Sequence, residues 1–439
     1  MANGPRRRAP VAALPSTILP PSSWRTLALR RTGVRMSSSA TPRIGQLDYI
    51  RGIAVMGILL ANLPAFALPA AAYFSPLAWG GHQGADRIAW FVNFVAVEGK
   101  MRGLFSMLFG ASMLLVIDRA EAAGRSGLRV HLTRMAVLFA IGLVHLYLIW
   151  WGDILAHYAL VGAIACLFIR LPTRLLLLFS VLFLLLDLLM SGGVAAMLYG
   201  ATPPSADMLE EIRNAFGIPP RPALIAELTA YRGTLAQAAA YRWSHAGSPL
   251  DELWIFGLQT LSAMLLGMAA YRAGFLTGQW SRRAYARVAA IALGVTLPLY
   301  ALIGAHSIAS GFDYRWIFTA SVILGPAIRP VTTLGYAALA LLTFRADRGA
   351  SARIAAAGRV AFSNYLGTSI VMLLLFTGLH QFGRWPRASL YLLAPVMWGI
   401  MLAWSPWWVD RFAYGPMEWL WRSLARGRWE PMRVPPAPG

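Results

Sequence analysis

About ten apolar runs, each close to the roughly 20 residues an α-helix needs to cross a bilayer core, recur along this chain and constrain its fold more than any other feature. They lie at 50–70, 90–117, 133–151, 154–170, 175–199, 252–271, 287–306, 316–344, 360–380 and 389–409. Inside hydrocarbon, backbone N–H and C=O groups must be bonded within the protein, so continuous runs of this length are read as helices. The expectation is an all-α, polytopic integral membrane bundle of about ten transmembrane helices. The second and eighth runs are longer than a span requires, which predicts a tilted helix or a half-helix joined to a span. Composition agrees: 58% of the 439 residues are hydrophobic and 13% charged, too apolar for a soluble domain, and the partner this demands is the lipid bilayer.

The charges set orientation. Of 39 basic residues one is a lysine, Lys100, and the rest are arginines, against 18 acids, for a net charge of +21. These arginines sit in short clusters between apolar runs, the pattern of topology signals facing anionic lipid, so no nucleic-acid partner is expected. With the N-terminus inside, the cytoplasmic connections hold Arg43, then Arg119, Arg125 and Arg129, then Arg170 and Arg174, then Arg272, Arg282 and Arg283, then Arg345, Arg348 and Arg353. The tail adds Arg411, Arg422, Arg426 and Arg428. Outside connections are poor in arginine, which predicts that both termini are cytoplasmic. The long connection 200–250 falls outside and mixes acids with arginines, suggesting a small helical cap over the outer mouth.

The expected domain plan is a basic tail (1–42), a transmembrane domain (43–410) and a cytoplasmic amphipathic segment with its tail (411–439). Residues 1–42 are rich in Arg, Pro, Ser and Ala and hold no run long enough for a signal-peptide core. They read as disordered, or as a start-site artefact with Met36 the initiator. The single cysteine, Cys166, excludes an intramolecular disulfide or a cysteine metal cage, and no metal site is expected. Nucleotide-binding glycine loops, zinc helices and nucleophile elbows are absent.

Ionisable groups within spans are costly and therefore candidates for function. Asp48 and Arg51, three residues apart, open the first span, and Asn62 follows about three turns later. Glu98, Lys100 and Arg102 crowd the second run, with Glu98 and Arg102 at the helical ion-pair spacing. His145, Asp153 and His157 surround the turn between the third and fourth runs; a carboxylate that orients an imidazole is what general-base catalysis needs, although interfacial His and Trp also serve as anchors. Ser363, Asn364 and Tyr365 enter the ninth run, and GPMEWLWR near the C-terminus reads as an interfacial amphipathic helix with Pro416 in its first turn.

These stretches carry a resemblance. RIGQLDYIRGIAVMGILLANL, EGKMRGLFSMLFG, GLVHLYLIWWGDILAHYALVG, ELTAYRG, LLGMAAYRAGFL, AGRVAFSNYLGTS and RFAYGPMEWLWR, in this order, are similar to the YeiB-like family of bacterial integral membrane proteins, whose C-terminal portion is domain of unknown function 418. Departures are modest: Phe362 and Ser363 stand where Leu-Thr is common, and Gly367 and Thr368 where Leu-Gln is. The family implies a bacterial cytoplasmic membrane protein. LDYIRGIAV also resembles the start of membrane acyltransferases that pass an acyl group from a coenzyme A thioester to a sugar. Only Arg43, Asp48, Arg51 and Gly52 carry over from this second likeness, and Asn62 stands near where one branch has a histidine.

The leading functional expectation is an acyltransferase-like enzyme acting on a cell-envelope glycan or lipid, with acyl-coenzyme A as the possible donor. Arg51, Lys100 and Arg102 would bind the donor diphosphate, and His145, oriented by Asp153, would deprotonate the acceptor; Asp48, Asn62, Glu98 and Asn364 complete the candidate binding set. A small-solute permease gated by Glu98, Lys100 and Arg102 is the alternative, and a non-catalytic scaffold the third.

Overall fold

The computed structural model describes residues 45–346 and 349–433, besides Met1 and Gly4. Expectations about the 1–42 tail, Met36, Arg43 and Arg348 fall outside the described residues. Everything below belongs to one compact unit, residues 44–439.

Helices account for the architecture, and no strand forms among the described residues. In chain order they are α1 (Gly45–Ala67), α2 (Gly84–Ala96), α3 (Lys100–Ala122), α4 (Gly127–Val144), α5 (Leu155–Ala165) and α6 (Thr173–Tyr199). Three short helices follow, α7 (Ala206–Phe216), α8 (Arg221–Tyr231) and α9 (Leu235–His245), then α10 (Pro249–Arg272), α11 (Arg282–Ala309), α12 (Tyr314–Phe318) and α13 (Gly325–Thr343). The chain ends with α14 (Gly349–Arg359), α15 (Ala361–Leu373), α16 (Arg387–Leu390), α17 (Leu393–Val409) and α18 (Pro416–Arg426). Among the described residues nine helical segments are long and apolar enough to span a membrane, and the fourth run forms the shorter apolar helix Leu155–Phe168.

Apolar side chains point both ways, as a bilayer solvent requires. α1, α3 and α10 bury most of their surface, whereas α6 exposes Leu178, Val181, Leu182, Leu185 and Leu189, and α11 exposes Ile291, Val295 and Leu302. With no hydrophobic gain from leaving lipid, helices associate through close packing, which small residues permit. α3 and α10 cross at Gly110 and Gly267, where an added Cβ would fall 2.0 Å from the Met264 carbonyl oxygen and 1.8 Å from that of Met107, respectively.

The long second run is a broken helix. α2 and α3 are separated at Val97–Gly99, and Gly99 adopts φ 71°, a left-handed conformation that suits glycine. The break frees backbone carbonyls. Lys100 Nζ donates to the Phe94 carbonyl and lies 3.2 Å from the Tyr300 ring centroid, while Tyr336 Oη donates to Ala96 O at 2.8 Å. Wider π turns occur at His145–Ile149, Thr319–Leu324 and Leu374–Gly378; such turns leave carbonyls that need other donors.

The 200–250 connection folds as α7–α9. Thr234 and Gln237 form a capping box that starts α9. Arg242 on α9, 1% exposed, reaches the His145–Ile149 turn, donating to Tyr147 O at 3.2 Å and to Leu148 O at 2.7 Å. On α8, Glu227 accepts from Ala70 N at 2.9 Å, and burial pushes its carboxyl up to about 7.

α18 docks onto protein through specific contacts. Its Glu418 accepts from Phe362 N at 2.8 Å and from Ser363 Oγ at 2.5 Å, capping the start of α15. Burial raises this carboxyl and those donors oppose the rise. Trp421 donates to Arg134 O at 2.8 Å, and the Arg134 guanidinium lies 3.9 Å from its ring centroid. The two tryptophans of this helix, Trp419 and Trp421, are thus half-buried against the chain.

Candidate active site

His145 opens the π turn that ends α4, and Asp153 precedes α5 across a tight turn. His145 Nδ1 lies 2.7 Å from Asp153 Oδ1, each side chain 1% exposed. The second carboxylate oxygen accepts from Ala156 N at 2.8 Å, so Asp153 is held at both oxygens. A carboxylate only accepts, so Nδ1 carries the proton and donates. The lone pair is left on Nε2, which has no hydrogen-bond partner among the described residues.

Several elements hold this pair in place. The ring of Trp150 packs on Phe66 with centroids 4.1 Å apart, and its Nε1 donates to Ala65 O at 3.2 Å. The Tyr365 ring from α15 lies 5.3 Å from the imidazole, centroid to centroid. Arg242 saturates the turn carbonyls from the α9 side. His157 is engaged elsewhere, its Nε2 2.9 Å from Thr260 Oγ1.

The Glu98–Arg102 region meets the same interior. Tyr158 Oη on α5 lies 2.7 Å from Ser106 Oγ and donates to Arg102 O at 3.3 Å. Arg102 is within electrostatic range of Tyr73, Glu98, Tyr158 and Glu252, and Glu252 of Asp153. A buried polar interior thus extends from the broken helix toward His145. Glu98 and Arg102, however, form no ion pair among the described residues; Glu98 instead accepts from Tyr73 Oη at 3.4 Å. The reason is the break: Glu98 sits in the Val97–Gly99 turn, where the spacing of four residues is not helical.

The first group stands apart. Arg51 pairs with Asp48 at 2.8 Å, the expected one-turn contact, and also donates to Ser112 Oγ at 3.0 Å and Gly358 O at 3.5 Å. Ser112 is twelve residues beyond Lys100 on α3, about 18 Å along a helix axis. Arg51 and Asp48 therefore do not converge with Lys100 and Arg102. Asn62 lies one turn before Ala65, toward the His145 end. Asn364 is fully engaged in packing, donating to Ala357 O at 3.0 Å and accepting from Trp404 Nε1 at 2.8 Å.

Four polar residues of this interior escaped the reading of the chain: Asp187, Glu252, Gln259 and Arg329. Arg329 Nη1 donates to Gln259 Oε1 at 2.6 Å, and Arg329 is within electrostatic range of Arg102 and Glu98. The signal was present, since each lies inside or at the mouth of an apolar run where an ionisable or amide side chain is costly.

Fold and site together define a multi-pass helical membrane protein with a buried imidazole–carboxylate pair. The model of the family described as "Protein of unknown function (DUF418)" matches residues 270–428. Among curated proteins, the uncharacterized protein YeiB of Escherichia coli (strain K12) is 32% identical over 387 residues, covering 86% of this chain and 95% of that protein. The uncharacterized protein YxaH of Bacillus subtilis (strain 168) is 28% identical over 417 residues, covering 89% and 96%. No solved structure matches the chain. The chain belongs to the YeiB-like family of DUF418 membrane proteins.

Proposed function

We propose that this protein is a membrane acyltransferase that moves an acyl group from a thioester donor, with acyl-coenzyme A the expected one, to a hydroxyl of a cell-envelope glycan or lipid. The observation that carries the reading is the His145–Asp153 pair with its unpartnered Nε2. In this reaction Nε2 takes the proton of the acceptor hydroxyl as its oxygen bonds to the acyl carbon. The carbon–sulfur bond breaks, and the thiolate recovers the proton from the imidazolium. Asp153 fixes the tautomer and balances the transient positive charge. Because Arg51 is engaged with Asp48 far from Lys100 and Arg102, the three do not make one diphosphate cradle, and no step is assigned to it.

The bilayer in this reading is the bacterial cytoplasmic membrane, with both termini cytoplasmic and α7–α9 capping the outer mouth. Reporter fusions after residue 125 and at the C-terminus are then both cytoplasmic, and a periplasmic result at either overturns the orientation. For the activity, proteoliposomes of the full chain are supplied with labelled acetyl-coenzyme A and envelope extract. Label transfer that His145→Ala abolishes supports the reading, and transfer indifferent to that change overturns it. A second reading, a small-solute permease, is favoured by the broken α2–α3 span with charges at the break, as discontinuous helices line many transport sites. Solute uptake into the same proteoliposomes, unaffected by His145→Ala, would select it.

A further inference from the structure

Arg329 sits 8% exposed in the space that Gly99 at the helix break and Gly103 on α3 leave open: a Cβ at Gly99 would fall 2.8 Å from its Nε, and one at Gly103 would fall 3.2 Å from its Cδ. Its Nη1 donates to Gln259 Oε1 at 2.6 Å, the Tyr300 side chain is a second polar neighbour, and Nε has no partner among the described residues. The nearby hydroxyl of Thr333 also has no hydrogen-bond partner among the described residues. Arg329 forms no ion pair among the described residues; Glu98 and Asp187 act on it only at longer range, and Arg102 opposes it. A guanidinium at this depth without an anion in contact is an expensive arrangement.

These groups line a narrow crevice between α3, α6, α10 and α13 that is partly open at its mouth. Arg329, Gln259 and Thr333 contribute its polar surface, and Met107, Leu184 and Leu266 its apolar walls. One wall is α6, whose outer face is exposed apolar surface. Cation and apolar wall side by side fit a ligand that brings both an anion and a hydrocarbon chain.

We propose that this crevice binds an amphiphile with an anionic headgroup, the anion on Arg329 and Gln259 and the chain along Leu184 and Leu266. The site is independent of acyl transfer, since it needs nothing from His145.

The test uses the purified full chain in uncharged detergent, with native mass spectrometry and thermal unfolding as readouts. The probes are dioleoyl phosphatidate, dioleoylglycerol as the chain without an anion, and inorganic phosphate as the anion without a chain. Phosphatidate is expected to bind and raise Tm, and the other two to do neither. Arg329→Gln is expected to weaken phosphatidate binding about tenfold or more, the loss of a charge-assisted contact. Leu184→Trp, which fills the crevice without touching the guanidinium, is expected to weaken it as well. Equal binding of dioleoylglycerol overturns the anion, an equal effect of inorganic phosphate overturns the amphiphile, and wild-type affinity in Leu184→Trp overturns the crevice even where Arg329→Gln does not fold.

Discussion

The Arg242 guanidinium donates to the Tyr147 carbonyl across 95 residues of sequence, so a helix of the 200–250 connection fixes the turn on which His145 rides. Removing it takes the donor from the Tyr147 and Leu148 carbonyls, both in partly buried bonds. Arg242→Met is expected to cost about 3 kcal/mol, two charge-assisted bonds offset by relief of a buried charge. It should also speed hydrogen exchange at 145–149. Wild-type exchange in that segment would show that α9 does not hold the turn.

His145 and Asp153 differ in what they contribute to the proposed transfer. His145→Ala removes the base, for which a loss of about 10²–10⁴-fold is expected. Asp153→Asn keeps the shape but favours the other tautomer, so kcat should fall with KM nearly unchanged. A drop confined to KM in Asp153→Asn would contradict an orienting role.

Lys100 separates two accounts of the broken helix. Its ammonium satisfies the Phe94 carbonyl and lies over the Tyr300 ring, so Lys100→Met should lower stability by about 1–3 kcal/mol through the unpaired carbonyl. Thermal unfolding in detergent measures this. A Tm equal to wild type, together with lost activity, would instead make Lys100 a ligand-binding group.

Glu227 gives the α8 contact a pH dependence. Its carboxyl is raised by burial to about 7, above the ordinary value of about 4.3. A raised carboxyl binds its proton more tightly when docked, so the stabilisation is fully present below the unfolded value and is lost as pH rises through about 7. Hydrogen exchange of 221–231 should therefore quicken between pH 5 and pH 8 beyond the intrinsic chemical rate. Glu227→Gln, which keeps an acceptor for Ala70 N, should flatten that excess; an excess that persists in Glu227→Gln assigns it to another group.

Much of the fold was legible in the chain because a membrane span is a local property: length and hydropathy suffice, and the ten apolar runs correspond to nine spanning segments and the short Leu155–Phe168 helix. The Asp48–Arg51 contact was legible for the same reason, lying within one helical turn. So was the neighbourhood of His145 and Asp153, eight residues apart across a single turn. Glu98 and Arg102 misled because helical spacing was applied across a break that Gly99 makes.

What the tertiary structure alone decided is which polar groups share an interior. Arg329, Asp187 and Glu252 come from α13, α6 and α10 and come within electrostatic range of Arg102 only after the helices pack. Arg51 is kept from Lys100 by distance along α3, while Arg242 reaches the His145 turn from α9, outside the stretches that carried the resemblance. Hydropathy along a chain decides that a helix enters the membrane, but it is blind to the rotation of each helix about its axis. That rotation is set by side-chain packing such as the Gly110–Gly267 crossing, and it determines which buried charges face one another.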